Sequence, residues 1–130
     1  MADHLMVVLS NAKPGLEDEF NDWYTNVHIV EIVDKLDGVE AAQRFALSGV
    51  HRDVEAPFKY LSLYWIPEDK LDDAKAAFKW QAEERAQAYE AGREPFIDRR
   101  DVFEEQPRGW FFSKICERYT NPASGVIVAE

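Results

Sequence analysis

Along this chain of 130 residues the apolar positions switch between a strand period and a helix period, and the switches outline six elements. Leu5-Met6-Val7-Val8-Leu9 is apolar nearly throughout, so residues 5–10 read as a first strand, central in its sheet. Pro14 and Gly15 then open a helix in which Leu16, Phe20, Trp23, Val27 and Val30 share one face. Glu17, Asp18, Glu19 and Asp22 lie in its first turns, where carboxylates suit the positive end of the helix dipole. Gly38 closes this region and residues 39–48 read as a second strand. Gly49 to Pro57 is a polar loop containing His51. Residues 58–66 give the strongest strand pattern, with Phe58, Tyr60, Leu61, Leu63, Tyr64, Trp65 and Ile66. Pro67 begins a long helix reaching about Ala91, with Leu71, Ala74, Phe78, Ala82 and Tyr89 on its predicted stripe, and Gly92 stops it. Residues 93–107, with Pro95 and Pro107, read as a charged loop holding one short helix. Residues 109–118 form the last strand, and the tail from Tyr119 ends in the apolar Val126-Ile127-Val128.

The order β-α-β-β-α-β predicts a single α+β domain over residues 1–130, a ferredoxin-like antiparallel sheet with both helices on one face. Such a sheet keeps its other face bare. The third strand puts Tyr60, Tyr64 and Ile66 on one face and Leu61, Leu63 and Trp65 on the other. The last strand repeats this with Trp110 and Phe112 against Phe111 and Ile115. An uncovered apolar patch of that size is unusual on a monomer, so a two-fold homodimer packed sheet to sheet is expected. Arg44, Glu40 and Lys114 are polar interruptions placed for paired contacts in that interface.

Composition narrows the partners. Apolar residues make up 46% and charged residues 31%, a globular mixture. No run approaches the roughly 18 apolar residues of a membrane span. Met1-Ala2-Asp3-His4 carries neither a basic region nor an apolar segment, so no signal peptide is expected and the cytoplasm is the expected location. The net charge of −10, with no cluster of Lys or Arg, argues against nucleic acid. The single cysteine, Cys116, excludes an intramolecular disulfide and reads as a small buried hydrophobe in the last strand.

Chemistry concentrates in Trp23-Tyr24-Thr25-Asn26-Val27-His28. Tyr24 and His28 are four apart, hence neighbours on one helix face, and Glu31 follows three residues later. A carboxylate that orients an imidazole sets its tautomer and raises its basicity. His28 is thus a candidate general acid/base with Tyr24 as a second polar anchor. Alternatively, His28 satisfies backbone carbonyls near the helix end. Trp23 belongs to the apolar stripe and reads foremost as core. Tyr60, Tyr64 and Trp65 either pack the sheet or line an aromatic slot. Arg44 is a candidate for holding a carboxylate or phenolate, or an interface ion pair. His4 and His28 are expected at one edge of the sheet and His51 at the other. With no H-x-H or H-x-x-x-H spacing, no metal site is expected. No cofactor is expected either: there is no G-x-G-x-x-G or P-loop, and equally no G-x-S-x-G or H-E-x-x-H.

The run Pro14-Gly15, Phe20, Trp23-Tyr24, His28, followed by Leu36-Asp37-Gly38-Val39 and Ala41-Ala42-Gln43-Arg44-Phe45, resembles the EthD-like pattern P-G-x-x-x-x-F-x-x-W-Y-x-x-x-H within the dimeric α+β barrel superfamily. That resemblance implies a homodimer whose sheets meet in a central barrel, with a cleft between helices and sheet in each subunit. It implies a cofactor-free enzyme of cyclase, isomerase, lyase or monooxygenase type, acting on a small aromatic or polyketide-like molecule. His28 matches the motif histidine and Trp23 and Tyr24 the aromatic pair. A non-catalytic homodimer that binds such a molecule is the alternative. The long second helix and the 92–107 segment depart from compact members, either covering the cleft or extending the dimer.

Overall fold

A computed structural model describes residues 2–123, so the expected apolar end at Val126-Ile127-Val128 lies outside the described residues. Four antiparallel strands form one sheet in the order β2-β3-β1-β4: β1 (Ala2–Ser10), β2 (Ala41–Ala46), β3 (Tyr60–Pro67) and β4 (Arg108–Ser113). The central strands β1 and β3 are the two with the longest apolar runs, as complete pairing on both sides favours. Their register sets Met6 opposite Tyr64 and Val8 opposite Ser62, while β4 brings Phe111 beside Met6 and Gly109 beside Val8. This is the ferredoxin-like α+β fold.

The first helical stretch is α1 (Glu17–Trp23), a single π-helical turn (Tyr24–His28) and α2 (Ile29–Lys35). The Ile29 N–H bonds the carbonyl of Tyr24, five residues back. One extra residue in the turn rotates everything that follows. Phe20 and Trp23 are buried as expected, but Ile32 and Leu36 replace Val30, which is 46% exposed. His28 therefore sits at mid-helix and not near its end.

The second helix, α3 (Leu71–Ala91), ends where Gly92 turns left-handed at φ 67° and the Arg93 N–H reaches the Ala88 carbonyl at 3.0 Å. Its buried positions Ala74, Gln81 and Ala88 define a stripe that rotates away from the expected one, leaving Ala82 exposed and Tyr89 89% exposed. The expected stripe holds through Leu71, Ala74 and Phe78 and fails beyond them, because Gln81 and Arg85 hold the next inward positions. Gly38, at φ 89°, lies so close under α3 that a Cβ there would meet the Ala74 backbone nitrogen at 2.8 Å.

The 93–107 segment contains no helix. It is a strap over the helical layer, with Ile97, Val102 and Phe103 buried. Lys13 N–H donates to Val102 O at 2.8 Å and Glu104 N–H to Asn11 O at 2.9 Å, tying it to the end of β1. Beyond Ser113 the chain leaves the sheet, so Ile115 is 98% exposed and Cys116 is exposed instead of buried in a strand. Lys114 pairs with Asp3 at 2.6 Å and Glu117 at 2.8 Å. The other sheet face carries Phe45, Trp110 and Phe112, exposed by 42%, 47% and 55%, around Leu5, Val7, Leu63 and Trp65. No helix among the described residues is long and apolar enough to cross a membrane.

Candidate functional site

The π turn decides what surrounds His28. Residues five apart on an α-helix point about 140° away from one another. In the wider turn they come nearly into line. Trp23 thus stacks on His28 with ring centroids 4.8 Å apart and planes at 29°, while Tyr24 meets it edge-on at 5.0 Å. Trp23 itself is fixed by its Nε1–H, which donates to Asp98 Oδ2 at 2.7 Å. The Asp98 backbone N–H donates to Glu31 Oε1 at 2.6 Å, and Lys35 Nζ reaches Glu31 Oε2 at 3.0 Å. Glu31 is engaged by the strap and by Lys35, and it accepts no hydrogen bond from His28. Lys35 Nζ also donates to Phe96 O at 2.9 Å, and the Phe96 N–H donates to Glu84 Oε1 at 2.9 Å. The strap is therefore pinned to α2 and α3 at once.

Beneath it lies a cavity of about 150 Å³, floored by Met6 and Val8 and walled by Tyr24, His28, Tyr64 and Gln81. Gly109 also borders it from β4, where a Cβ would meet Met6 Cε at 2.8 Å. A wider outer cleft of about 780 Å³ adjoins it, the two sharing Arg85, Arg99, Phe103 and Gln106.

His28 lines this cavity, and its Nδ1 is buried with no hydrogen-bond partner among the described residues. Burial, followed by the positive charge of Arg99, drives the imidazole down to a pKa of about 4; Glu31 and the Asp98 backbone oppose this, while Arg85 adds to it. The ring is neutral at pH 7. Burial raises the Tyr24 phenol and raises that of Tyr64 well above the usual value, so both stay protonated, and their hydroxyls hydrogen-bond with each other and with Ser62. His28 also makes the backbone contact that the alternative reading expects, a hydrogen bond to the Asp98 backbone. A neutral imidazole and two protonated tyrosines line one half-open volume.

Of the residues singled out from the sequence, His28, Tyr24 and Tyr64 line the cavity, and Trp23 backs it. Tyr60 does not reach it: its ring packs on Phe20 at 5.1 Å and its hydroxyl accepts from Asn21 Nδ2 at 3.3 Å. Arg44 turns toward α1, away from the bare sheet face. Its guanidinium lies 4.4 Å from the Tyr24 ring centroid and donates to Thr25 Oγ1 at 2.9 Å and Asn21 Oδ1 at 3.0 Å. Trp65 faces the other side of the sheet, opposite Leu5. His4 bonds Ser113 Oγ at 2.7 Å, away from His28. Gln81, Arg85, Asp98, Arg99 and Gly109 escaped sequence reading. A glycine inside an aromatic strand, and polar residues at inward helix spacing, were the available signals.

No protein-family model matches the chain, and no curated protein matches it. Solved structures do. An EthD-like protein from Ralstonia eutropha superposes with a TM-score of 0.54 at 14% identity, over 91% of this chain and 97% of that one. A candidate antibiotic biosynthesis monooxygenase from Bordetella bronchiseptica gives 0.54 at 17% identity, over 89% and 100%. The chain has the fold of the ferredoxin-like α+β barrel proteins. A haem-degrading protein of that fold from Mycobacterium tuberculosis, solved with two haems in its active site, superposes at 0.51 with 17% identity, over 89% of this chain and 99% of that one. Identities this low speak to architecture, and the chemistry rests on the site itself.

Proposed function

We propose that this ferredoxin-like protein is an EthD-like, cytoplasmic homodimer that acts without a cofactor on a small aromatic or polyketide-like molecule held in the cleft between helices and sheet. The observation that carries the reading is His28, which lines the cavity and whose buried Nδ1 has no partner among the described residues. A buried polar atom left unpaired costs about 1–3 kcal/mol, and a ligand bond made as the ring turns toward the cavity would recover it. In this reading His28 takes a proton from substrate carbon or oxygen, and a Tyr24 or Tyr64 hydroxyl exchanges its hydrogen bond within the Tyr24, Tyr64 and Ser62 group for one to the oxygen on which negative charge develops. Trp23 holds the imidazole plane, and Asp98 holds Trp23. A space of about 150 Å³ is large enough for one ring, the size at which an engineered cavity accepts benzene. The outer cleft gives room for substituents. Dimerisation through Phe45, Trp110 and Phe112 covers the bare sheet face and leaves the cleft open on the opposite side.

The low pKa also supports a second reading. An imidazole titrating at about 4 is a weak base at neutral pH, which favours a binding protein using His28 as a hydrogen-bonding partner. Thermal shift with phenol, quinone and lactone panels on wild type and His28→Ala, followed by turnover of each hit, separates the two. A shift and turnover both lost in His28→Ala support the enzyme. A shift lost without any turnover supports the binder. An equal shift in both proteins removes His28 from the site and overturns both readings.

A further inference from the structure

Five cationic side chains border the outer cleft: Lys13, Arg85, Arg93, Arg99 and Arg100. Three of them are matched. Lys13 Nζ lies 2.7 Å from Asp101 Oδ1, Arg93 Nη1 2.6 Å from Glu84 Oε2, and Arg100 Nε 3.6 Å from Asp98 Oδ2. Arg85 and Arg99 have no carboxylate partner among the described residues. Arg99 only lies over the Phe103 ring, 5.4 Å from its centroid. Glu104, also at this cleft, is exposed and forms no ion pair among the described residues.

The two unmatched guanidiniums border both the outer cleft and the inner cavity, so they stand at the junction between them. Asp101, Glu104 and Glu105 also border the cleft, and Asp101 feels the charge of Arg99, yet no carboxylate among the described residues forms an ion pair with either guanidinium. Burial, and then the charge of Arg99, depress the Arg85 guanidinium, so two like charges stand at the junction at an electrostatic cost to the empty fold. An anion at the junction would reverse that repulsion. Guanidinium matches carboxylate in shape as well as charge.

We propose that the cleft binds a flat, single-ring ligand carrying one carboxylate, with the ring in the inner cavity against Met6, Val8 and Tyr64 and the carboxylate between Arg85 and Arg99. The inference rests on the cleft being the binding site and names the ligand class it takes. It also places the reacting part of the ligand, the ring, beside His28 and the two phenols, while the anchor stays at the mouth.

The test is isothermal titration at pH 7 and low salt with benzoate and its neutral isostere benzamide, on wild type, Arg85→Gln, Arg99→Gln and Arg93→Gln. Circular dichroism and melting temperature establish that each variant is folded. Benzoate is expected to bind wild type at least about tenfold tighter than benzamide, a difference that a charge-assisted bidentate contact supplies. Arg85→Gln and Arg99→Gln should each remove most of that preference. Arg93→Gln should keep it, because Arg93 is already paired with Glu84. Benzoate binding no tighter than benzamide, no benzoate binding at all, or equal weakening by all three variants would overturn the proposal. If benzamide binds as well as benzoate and both are lost in His28→Ala, the cleft reading stands and only the carboxylate assignment falls.

Discussion

Replacing His28 by Gln should make the protein less sensitive to acid, and the size of the effect follows from the burial of the ring. In the native protein the imidazole titrates at about 4, while in the unfolded chain it titrates near 6.5. The native state therefore binds fewer protons than the unfolded state between these values. Stability rises with pH wherever the unfolded chain binds more protons, so His28 costs nothing above about pH 6.5 and destabilises increasingly down to about pH 4. The full difference is worth about 3 kcal/mol, and about 2 kcal/mol has been lost by pH 5. These are upper values, because the ring borders a cavity that admits water. The assay is urea unfolding of wild type and His28→Gln at pH 8, 7, 6 and 5, at one protein concentration. His4, His51 and all carboxylates are common to both proteins, so the difference between the two stability curves isolates His28. Glutamine keeps a polar side chain in the π turn but has no proton to gain. The variant's advantage over wild type should grow by roughly 1–2 kcal/mol from pH 8 to pH 5, most of it below pH 6.5. A difference that stays constant across that range would refute the claim that His28 is held neutral by burial and by Arg99.

Two further outcomes follow from the packing. Gly38→Ala should lower stability by about 2 kcal/mol or more in denaturant unfolding, because its φ of 89° disfavours a side chain and the new Cβ would meet Ala74 N at 2.8 Å; an unchanged midpoint would show that α3 can move away. Light scattering at micromolar concentration should find a dimer for wild type and a smaller species for Trp110→Asp, since Trp110 is 47% exposed on the bare sheet face; a monomeric wild type would remove the sheet-to-sheet dimer.

The sequence by itself determined the order of elements, the two central strands and the neighbourhood of Trp23, Tyr24 and His28. Each of these rests on local periodicity or on side chains close together in the chain, and both act through short-range geometry. The two faces of β3 were legible for the same reason: alternate residues must point to opposite sides of a pleated strand. Tertiary structure decided the rest. The π turn comes from a backbone hydrogen bond between residues five apart, and no apolar count registers it, although it moves burial from Val30 to Ile32 and Leu36. Gln81 and Arg85 are polar residues facing inward, so a hydrophobic stripe necessarily skips them. The 93–107 strap has no period of its own. Its path is set by Asp98 on Trp23 and Glu31, by Val102 and Glu104 on the end of β1, and by Phe96 on Glu84. Arg44 and Trp65, attractive as ligand-binding side chains in the sequence, were assigned elsewhere by the helix that covers one sheet face and by the pleat that turns toward the other. A cavity exists only where distant segments fail to meet, and that is a property of the assembled layers rather than of any stretch of chain.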